Sequence, residues 1–514
     1  MTTRRTLLSA ALAVSTILAT GGAVAQKRGG EIVVGMYVGA NSIDPHFSAS
    51  YPARTMLYPI YETLFTVDEK GGPVPMLAEG VTIAPDGLTY DFRLRQGVTF
   101  HNGKVMTSAD VKASLERYAR FSPDKISFAP VTAIETPEPH RVVIRLKELS
   151  PSFLDRLASP TSPTSIIPAE QAERDLNKTD NIGTGPYRFG EWVPDSHMLL
   201  VRHEGYAQDT RAAGPDGFGG RKTAWADRVR LRFLPEASAR VAALESGQVH
   251  IIEDLPPPTA RRLATNAKLA IETIPAFQMP VVYLNHAGGP TANLGVRRAI
   301  QAALDMDEVM LAASGGVHKL NHSWVYDGNP FHNDGGKALY NINDPAKAKQ
   351  LLRESGYRGE PILFNVATIA WMQRVGVVVT EQLKAVGLNV EIRSMDWPTL
   401  ASMANGNEGW HLATSGFGSQ PFVGAWSYQR LFVGEFNLAR ATGDRKMEEA
   451  WGRFNTSLDL EKRKAAWQDI QAHSYENVHV VKLGDMGMTH ARSAQLKGVR
   501  AYAGATRVWD IWLD

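Results

Sequence analysis

The sequence predicts an α/β protein of two or three domains, and three observations carry that expectation. The chain has 514 residues, 44% of them hydrophobic and 21% charged, the composition of an ordinary globular protein with ample core. Over residues 88–94, apolar Leu88, Tyr90, Phe92 and Leu94 alternate with Thr89, Asp91 and Arg93, the period of a half-buried strand. Over residues 362–392 the pattern reads strand (362–366), helix (374–386), strand (388–392). Val375, Val378, Val379 and Leu383 stand in helical register and Gly387 supplies the stop. Two strands flanking one helix make a βαβ unit with a parallel crossover.

At the N-terminus, Arg4-Arg5 precede a short apolar run from Leu7 to Ala19, and Ala23-Val24-Ala25 is a small-x-small cleavage site before Gln26. Residues 1–25 therefore read as a signal peptide. The run is shorter than the ~20 apolar residues of a spanning helix. Thr3-Arg4-Arg5-Thr6-Leu7-Leu8 also resembles a twin-arginine export signal; ordinary secretory signals carry paired arginines too, so both routes stay open. Cleavage removes two of the 55 Lys+Arg and matches them to the 53 Asp+Glu. A neutral mature chain gives no electrostatic case for nucleic acid or an anionic membrane surface. The absence of cysteine excludes a lipoprotein anchor, a cysteine nucleophile and thiolate zinc sites.

In chain order, Glu31-Ile32-Val33-Val34-Gly35 is the first mature strand, followed by the loop Asn41-Ser42-Ile43-Asp44-Pro45-His46 and a helix running from Met56 to Phe65. Pro85-Asp86-Gly87 turns into the strand 88–94. Gly97 breaks it, a short strand follows at 98–100, and His101-Asn102-Gly103-Lys104 turns again. Thr107-Ser108-Ala109-Asp110 has capping-box spacing, and Val111, Leu115 and Tyr118 form the apolar stripe of the helix it opens. A strand at 141–146, a helix from Ser152 and the turn Gly183-Thr184-Gly185-Pro186-Tyr187 come next. Neither glycine-rich stretch is a phosphate loop: five residues lie between Gly97 and Gly103 where that loop has four, and Val105 stands where it needs Ser or Thr. Residues 211–221 read as a surface loop, 229–233 as a strand, 238–246 as a helix stopped by Gly247, and 249–253 as a strand. Beyond Pro256-Pro257-Pro258 come a strand (281–285), a helix (296–305) and a helix opened by Asp344-Pro345, with Ala348, Leu351 and Leu352 facing inward.

The stretch 85–117 carries a long motif at Asp86, Gly87, Tyr90, Phe92, Leu94, Arg95, Gly97, Phe100, His101, Gly103, Ala109, Asp110, Val111, Ser114 and Arg117. With Asp44-Pro45, Tyr61-Glu62-Thr63-Leu64, Pro73–Glu79, Ile166-Ile167-Pro168, Gly183–Tyr187, the run 243–252, Val296–Asp305 and the tail 496–512, the mature chain resembles the family 5 extracellular solute-binding proteins. These are the dipeptide, oligopeptide and nickel binding components of ABC importers. The resemblance implies a two-lobe periplasmic binding protein of the class II, cluster C, Venus-flytrap type. Lobe 1 would comprise 26–278 plus 489–514, with an extra subdomain at about 67–181, and lobe 2 would comprise 279–488, with crossovers near 278 and 489. It implies a monomer in the periplasm that captures a small molecule or peptide and passes it to an inner-membrane ABC permease with its ATPase. No cofactor, metal, nucleic acid or catalysis is expected.

The resemblance also points to ligand residues. Phe47 and Tyr51 lie on a lobe 1 loop that often reaches the ligand. Trp371 and Arg374 lie in the segment 368–374, where dipeptide binders place an arginine for the ligand carboxylate. Phe417, Gly418, Ser419 and Gln420 lie in 412–423, where peptide binders carry an aspartate for the ligand ammonium. No Asp occurs between His411 and Arg430. A neutral amide does not offset a buried ammonium as a carboxylate does, so a free peptide N-terminus is in question. Trp397, Trp426 and Tyr428 are further candidates for the cleft. The expected solute is a peptide or peptide-like molecule; an opine, sugar-like compound, organic acid or metal chelate is the alternative within the fold, and a secreted hydrolase the alternative outside it. No Gly-x-Ser-x-Gly or His-Glu-x-x-His occurs. His318 and His322 have a spacing that could hold a metal on a helix, but Gly315-Gly316 just before them favours a loop. Asp305 and Asp307 read as residues of a capped helical turn.

Overall fold

One strand, Leu269–Leu284, runs through both halves of the molecule in the computed structural model, which describes residues 27–47, 50–434, 437–500 and 502–514. The predicted leader lies outside the described residues. Leu269 to Ile274 pair antiparallel with Ser493 to Met488 of the strand Asp485–Ser493. The register shifts between Ile274 and Gln278, where Pro275 has no amide hydrogen to give the ladder. From Gln278 to Leu284 the strand pairs with Leu412–Gly418.

The sheet grows outward from this central pair. On the lobe 1 side come Ile251–Ile252, Glu31–Met36, Arg228–Phe233, His197–Arg202 and Tyr187–Val193; on the lobe 2 side, Leu412–Gly418, Ile362–Ala367 and Val390–Met395. The predicted βαβ unit is present. Ile362–Ala367 and Val390–Met395 are parallel and adjacent, joined by the helix Ala370–Ala385, which buries Val375, Val379 and Leu383.

A second sheet of four antiparallel strands, in the order Ala78–Ile83, Thr89–Leu94, Arg141–Leu146, Val131–Glu138, sits beside lobe 1. Tyr90, Phe92 and Leu94 are buried on one face, the face their alternation predicts. Over it packs the helix Ser108–Phe121, with Val111, Leu115 and Tyr118 fully buried. The capping box closes as predicted: the Thr107 amide donates to Asp110 Oδ2 at 2.9 Å.

The differences have local causes. The short strand expected at 98–100 is a single bridge, Thr99 to Val105, because the backbone folds back at once through Phe100 N to Lys104 O and Gly103 N to Phe100 O. The helix expected from Met56 to Phe65 is instead Tyr51–Leu57. Pro59, which cannot continue a helical ladder, follows two residues later. Helix 296–305 is Leu294–Ala303, and Asp305 caps a second helix, Met306–Ser314, accepting from the amides of Asp307 and Glu308.

The loop and helix motifs of lobe 1 meet in a buried ion pair. Arg117 Nη1 and Nη2 donate to Asp44 Oδ1 and Oδ2 at 2.8 and 2.7 Å, and both side chains are fully buried. Nη1 also reaches His46 Nδ1 at 3.1 Å, while His46 Nε2 bonds the Ser165 carbonyl at 2.7 Å. Burial alone would raise the Asp44 carboxyl. The hydrogen bonds from Arg117 and from the amides of His46 and Asn177 outweigh it and hold the carboxyl below its ordinary range.

The two lobes touch. Gly71, at φ +83°, lies so close to Pro421 that a Cβ there would stand 2.2 Å from the Pro421 carbonyl carbon. Arg463 Nη2 donates to Ser152 Oγ at 2.7 Å, and the Arg156 guanidinium lies 4.5 Å from the Trp426 ring centre. One apolar cluster accordingly runs from Phe92 and Phe153 through Tyr283, Trp324 and Tyr428 to Trp467.

Candidate ligand cleft

Between the lobes lies a cavity of about 1040 Å³, at the upper end of the range for small-molecule sites. Lobe 1 contributes Tyr37, Tyr51 and Arg54, and the adjoining subdomain Asp124 and Arg156. The crossover strand contributes Phe277 and Gln278, and lobe 2 Phe417, Gln420, Trp426 and Tyr428.

Each wall follows from its element. Tyr51 and Arg54 stand on the helix Tyr51–Leu57, one turn apart. The Tyr51 ring meets Phe277 edge-on at 4.7 Å and stacks with Tyr37 at 6.1 Å. Phe277 falls in the register break of the crossover strand, so the cavity floor is built where the lobes join. Phe417 pairs with Met279 near the end of the strand Leu412–Gly418 and packs against Tyr428 at 6.2 Å. Tyr428 donates its hydroxyl to the Gly418 carbonyl at 3.1 Å. Gly418 leaves room for the Gln420 side chain: a Cβ there would stand 2.3 Å from Gln420 Oε1 and displace it.

The polar groups are unevenly satisfied. Asp124 and Arg156 lie 3.5 Å apart, and Arg430 donates to Asn405 Oδ1 at 3.1 Å. Arg54 is 8% exposed, and its Nε and Nη1 have no hydrogen-bond partner among the described residues. Gln420 Oε1 and Ser419 Oγ are likewise buried without a partner. Burial raises the Asp124 carboxyl and the Tyr51 hydroxyl above their ordinary values, and lowers the Arg54 guanidinium below its own.

Of the residues expected at the ligand, Tyr51, Phe417, Gly418, Gln420 and Trp426 border this cavity. Ser419 lies in the same loop, buried behind the lining, its amide donating to the Phe277 carbonyl at 3.3 Å. The others lie elsewhere. Phe47 is 38% exposed, outside the lining. Trp371 packs behind Gly416, half-buried where two apolar clusters meet. Arg374 donates through Nε and Nη2 to the carbonyls of Ala312 and Ala313 at 2.6 and 2.7 Å. It is a cation at the C-terminal end of the helix Met306–Ser314, where such charges are favoured. Trp397 opens the helix Trp397–Ala404 and is 39% exposed. Sequence reasoning passed over Tyr37, Arg54, Arg156 and Gln278. The available signal for Arg54 was a lone charge in the otherwise apolar run from Tyr51 to Tyr58.

His318 and His322 engage separate partners. His318 Nδ1 meets Ser314 Oγ at 2.9 Å, and His322 Nε2 meets the Asn333 carbonyl at 2.9 Å. Among the described residues, no group of three or more His, Asp or Glu side chains is placed to hold a metal ion.

Comparison with known proteins agrees with this architecture. The model of the bacterial extracellular solute-binding proteins, family 5 Middle, matches residues 72–437. A probable peptide ABC transporter periplasmic-binding protein of Sinorhizobium fredii is 28% identical over 479 residues, covering 89% of this chain and 88% of that one. The glutathione-binding protein GsiB of Pectobacterium atrosepticum is 25% identical over 485 residues, covering 89% of each. The ABC transporter substrate binding protein CtaP of Listeria monocytogenes superposes with a TM-score of 0.82 at 22% identity, over 95% of this chain and all of that one, which establishes the shared fold. Two lobes on one crossover sheet, a cavity between them and a family match over most of the chain lead to one assignment: this chain belongs to the bacterial extracellular solute-binding proteins, family 5.

Proposed function

We propose that this chain captures a peptide or peptide-like solute between its lobes in the periplasm and delivers it to an ABC permease with its ATPase. The observation that carries the reading is the shared construction of the cavity. Tyr51 and Arg54 come from lobe 1, Phe277 and Gln278 from the crossover, and Phe417, Gln420 and Trp426 from lobe 2. A solute held by all three is removed from water only while the lobes are together, so its affinity is coupled to closure. The aromatic lining supplies contact area, and a few polar groups fix orientation. The peptide assignment is supported by the names of two relatives, one a probable peptide-binding component and one a glutathione-binding protein.

The second reading, a non-peptide solute, is favoured by Gln420. It stands in the loop where peptide binders carry a carboxylate, and its buried amide oxygen has no partner among the described residues. Native mass spectrometry of the mature protein, taken gently from the periplasmic fraction with release of any bound molecule, separates the two. A short peptide supports the first reading; an organic acid or sugar conjugate replaces it with the second. Recovery of the protein in the cytoplasmic fraction would overturn the localisation.

A further inference from the structure

We infer that Arg54 is an oxyanion-recognition residue, and that the solute held in the cleft carries a carboxylate or an equivalent anionic group which the guanidinium meets when the lobes close. This rests on the reading of the cavity as the solute site and deepens it by naming the charge of the solute.

Three observations converge. Arg54 lines the cavity and is 92% withdrawn from solvent, with Nε and Nη1 lacking any hydrogen-bond partner among the described residues. No carboxylate among the described residues lies within ion-pair reach of it. Glu253, a buried carboxylate near the same floor, accepts at Oε1 from Thr55 Oγ1 at 3.2 Å and Thr506 Oγ1 at 2.7 Å, while its Oε2 meets no partner among the described residues and forms no ion pair with Arg54. The guanidinium lies 5.1 Å from the centre of the Phe422 ring, contributed by lobe 2, and is otherwise surrounded by the neutral phenols of Tyr37, Tyr51, Tyr58 and Tyr502. A ring face attracts a cation but does not satisfy its N–H groups.

A buried cation without an anion is expensive, and proteins keep such groups where a ligand completes them. A guanidinium presents a planar fork that matches a carboxylate or phosphate with two parallel hydrogen bonds. Because Arg54 belongs to lobe 1 and Phe422 to lobe 2, the pocket around the guanidinium is complete only when the lobes meet. The anion and the closed state therefore stabilise each other. Of the cavity's other cations, Arg156 is paired with Asp124 and the Trp426 ring, and Arg430 is exposed with one nitrogen on the Asn405 amide oxygen. Arg54 is the buried one, where a solute's charge matters most. Gln420, with its own unpartnered oxygen on the facing wall, offers an acceptor to an N–H of the same molecule.

The test uses the full mature protein, unfolded in denaturant, dialysed and refolded to remove bound solute. Calorimetry is run with tri-alanine, tri-alanine amide, and N-(1-carboxyethyl)alanine as a non-peptide diacid, on wild type and on Arg54→Gln. The free acid is expected to bind at least roughly 30-fold more tightly than the amide, and Arg54→Gln to erase that difference. If acid and amide bind wild type alike, the inference falls while the peptide reading stands. If only the diacid binds, and does so through Arg54, the peptide reading falls while the inference stands. Should none of the three bind, the stability of the solute-free protein decides. Removing an unsatisfied buried cation by Arg54→Met raises the melting temperature by a few degrees, whereas a fall of that size makes Arg54 a structural residue and overturns the inference.

Discussion

Two of the buried arginines of lobe 1, Arg117 and Arg54, are opposites. Arg117 is fully enclosed with both terminal nitrogens on Asp44 and one also on His46. Arg54 is nearly as deep and has two of its three nitrogens idle. The first is a closed account within the fold: loop 41–46 and the helix Ser108–Phe121 are held together by it. The second is left open toward the cavity. Burial by itself therefore says nothing about role. What separates scaffold from site is whether the chain supplies the counter-charge.

The largest effect that sharpens this contrast is loss of the Asp44 carboxylate. Asp44→Asn leaves Arg117 buried and uncompensated, and the expected cost is about 3–5 kcal/mol of folding stability, read from urea denaturation. A loss under about 1 kcal/mol would remove the contrast with Arg54.

Next is the pH dependence of the same cluster. Burial, aided by the charge of Arg117 and opposed by the bond to the Ser165 carbonyl, pushes His46 down from 6.5 to about 4. Its folded value is depressed, so the unfolded chain binds the extra proton. The contribution of His46 is fully present above about 6.5 and is lost as pH falls toward about 4, an effect on the order of 3 kcal/mol. Denaturation curves at pH 7 and pH 4.5 should differ less in His46→Gln than in wild type. An equal difference in both would show that His46 does not titrate in this window.

A third change acts on lobe contact. Gly71→Val places a side chain against the Pro421 backbone, at a φ that β-branched residues rarely adopt. Small-angle scattering should show a more open molecule, and affinity for the captured solute should fall by about tenfold or more. An unchanged scattering profile would detach this contact from closure. The smallest effect belongs to Arg374→Ala, which removes a cation from a helix C-terminus. About 0.5–1 kcal/mol of stability should go, with affinity for the captured solute unchanged; a strong loss of affinity would return Arg374 to the ligand.

The scaffold was legible because its signals are local. The alternation 88–94, the box Thr107 to Asp110 and the strand–helix–strand at 362–392 are each decided within a dozen residues, and the structure has each of them. Helix ends were less so: Pro59 ended one helix early, and Asp305 turned out to begin a helix rather than finish one. The cleft was legible only in part, for a geometric reason. Its walls come from segments up to about 390 residues apart, from Tyr37 to Trp426, and no periodicity links them. Loop 416–420 was recognisable by its glycines and aromatic. Arg374, by contrast, is drawn to the helix ending at Ser314, a partner 60 residues away that no local pattern announces. Arg54 was hidden by lying in a run that otherwise reads as core.

The crossover strand has a mechanical consequence. Leu269–Leu284 and Asp485–Ser493 are hydrogen-bonded to each other on both sides of the break between Ile274 and Gln278, so the halves of the molecule are welded along one ladder and cannot swivel freely. Relative motion of the halves would bend the ladder where it is interrupted, at residues 275–277. Phe277 belongs to that interruption and also to the cavity floor. A molecule filling the cavity would press on the point of bending, so that a solute well below the size of the cleft would set the angle between two lobes far larger than itself.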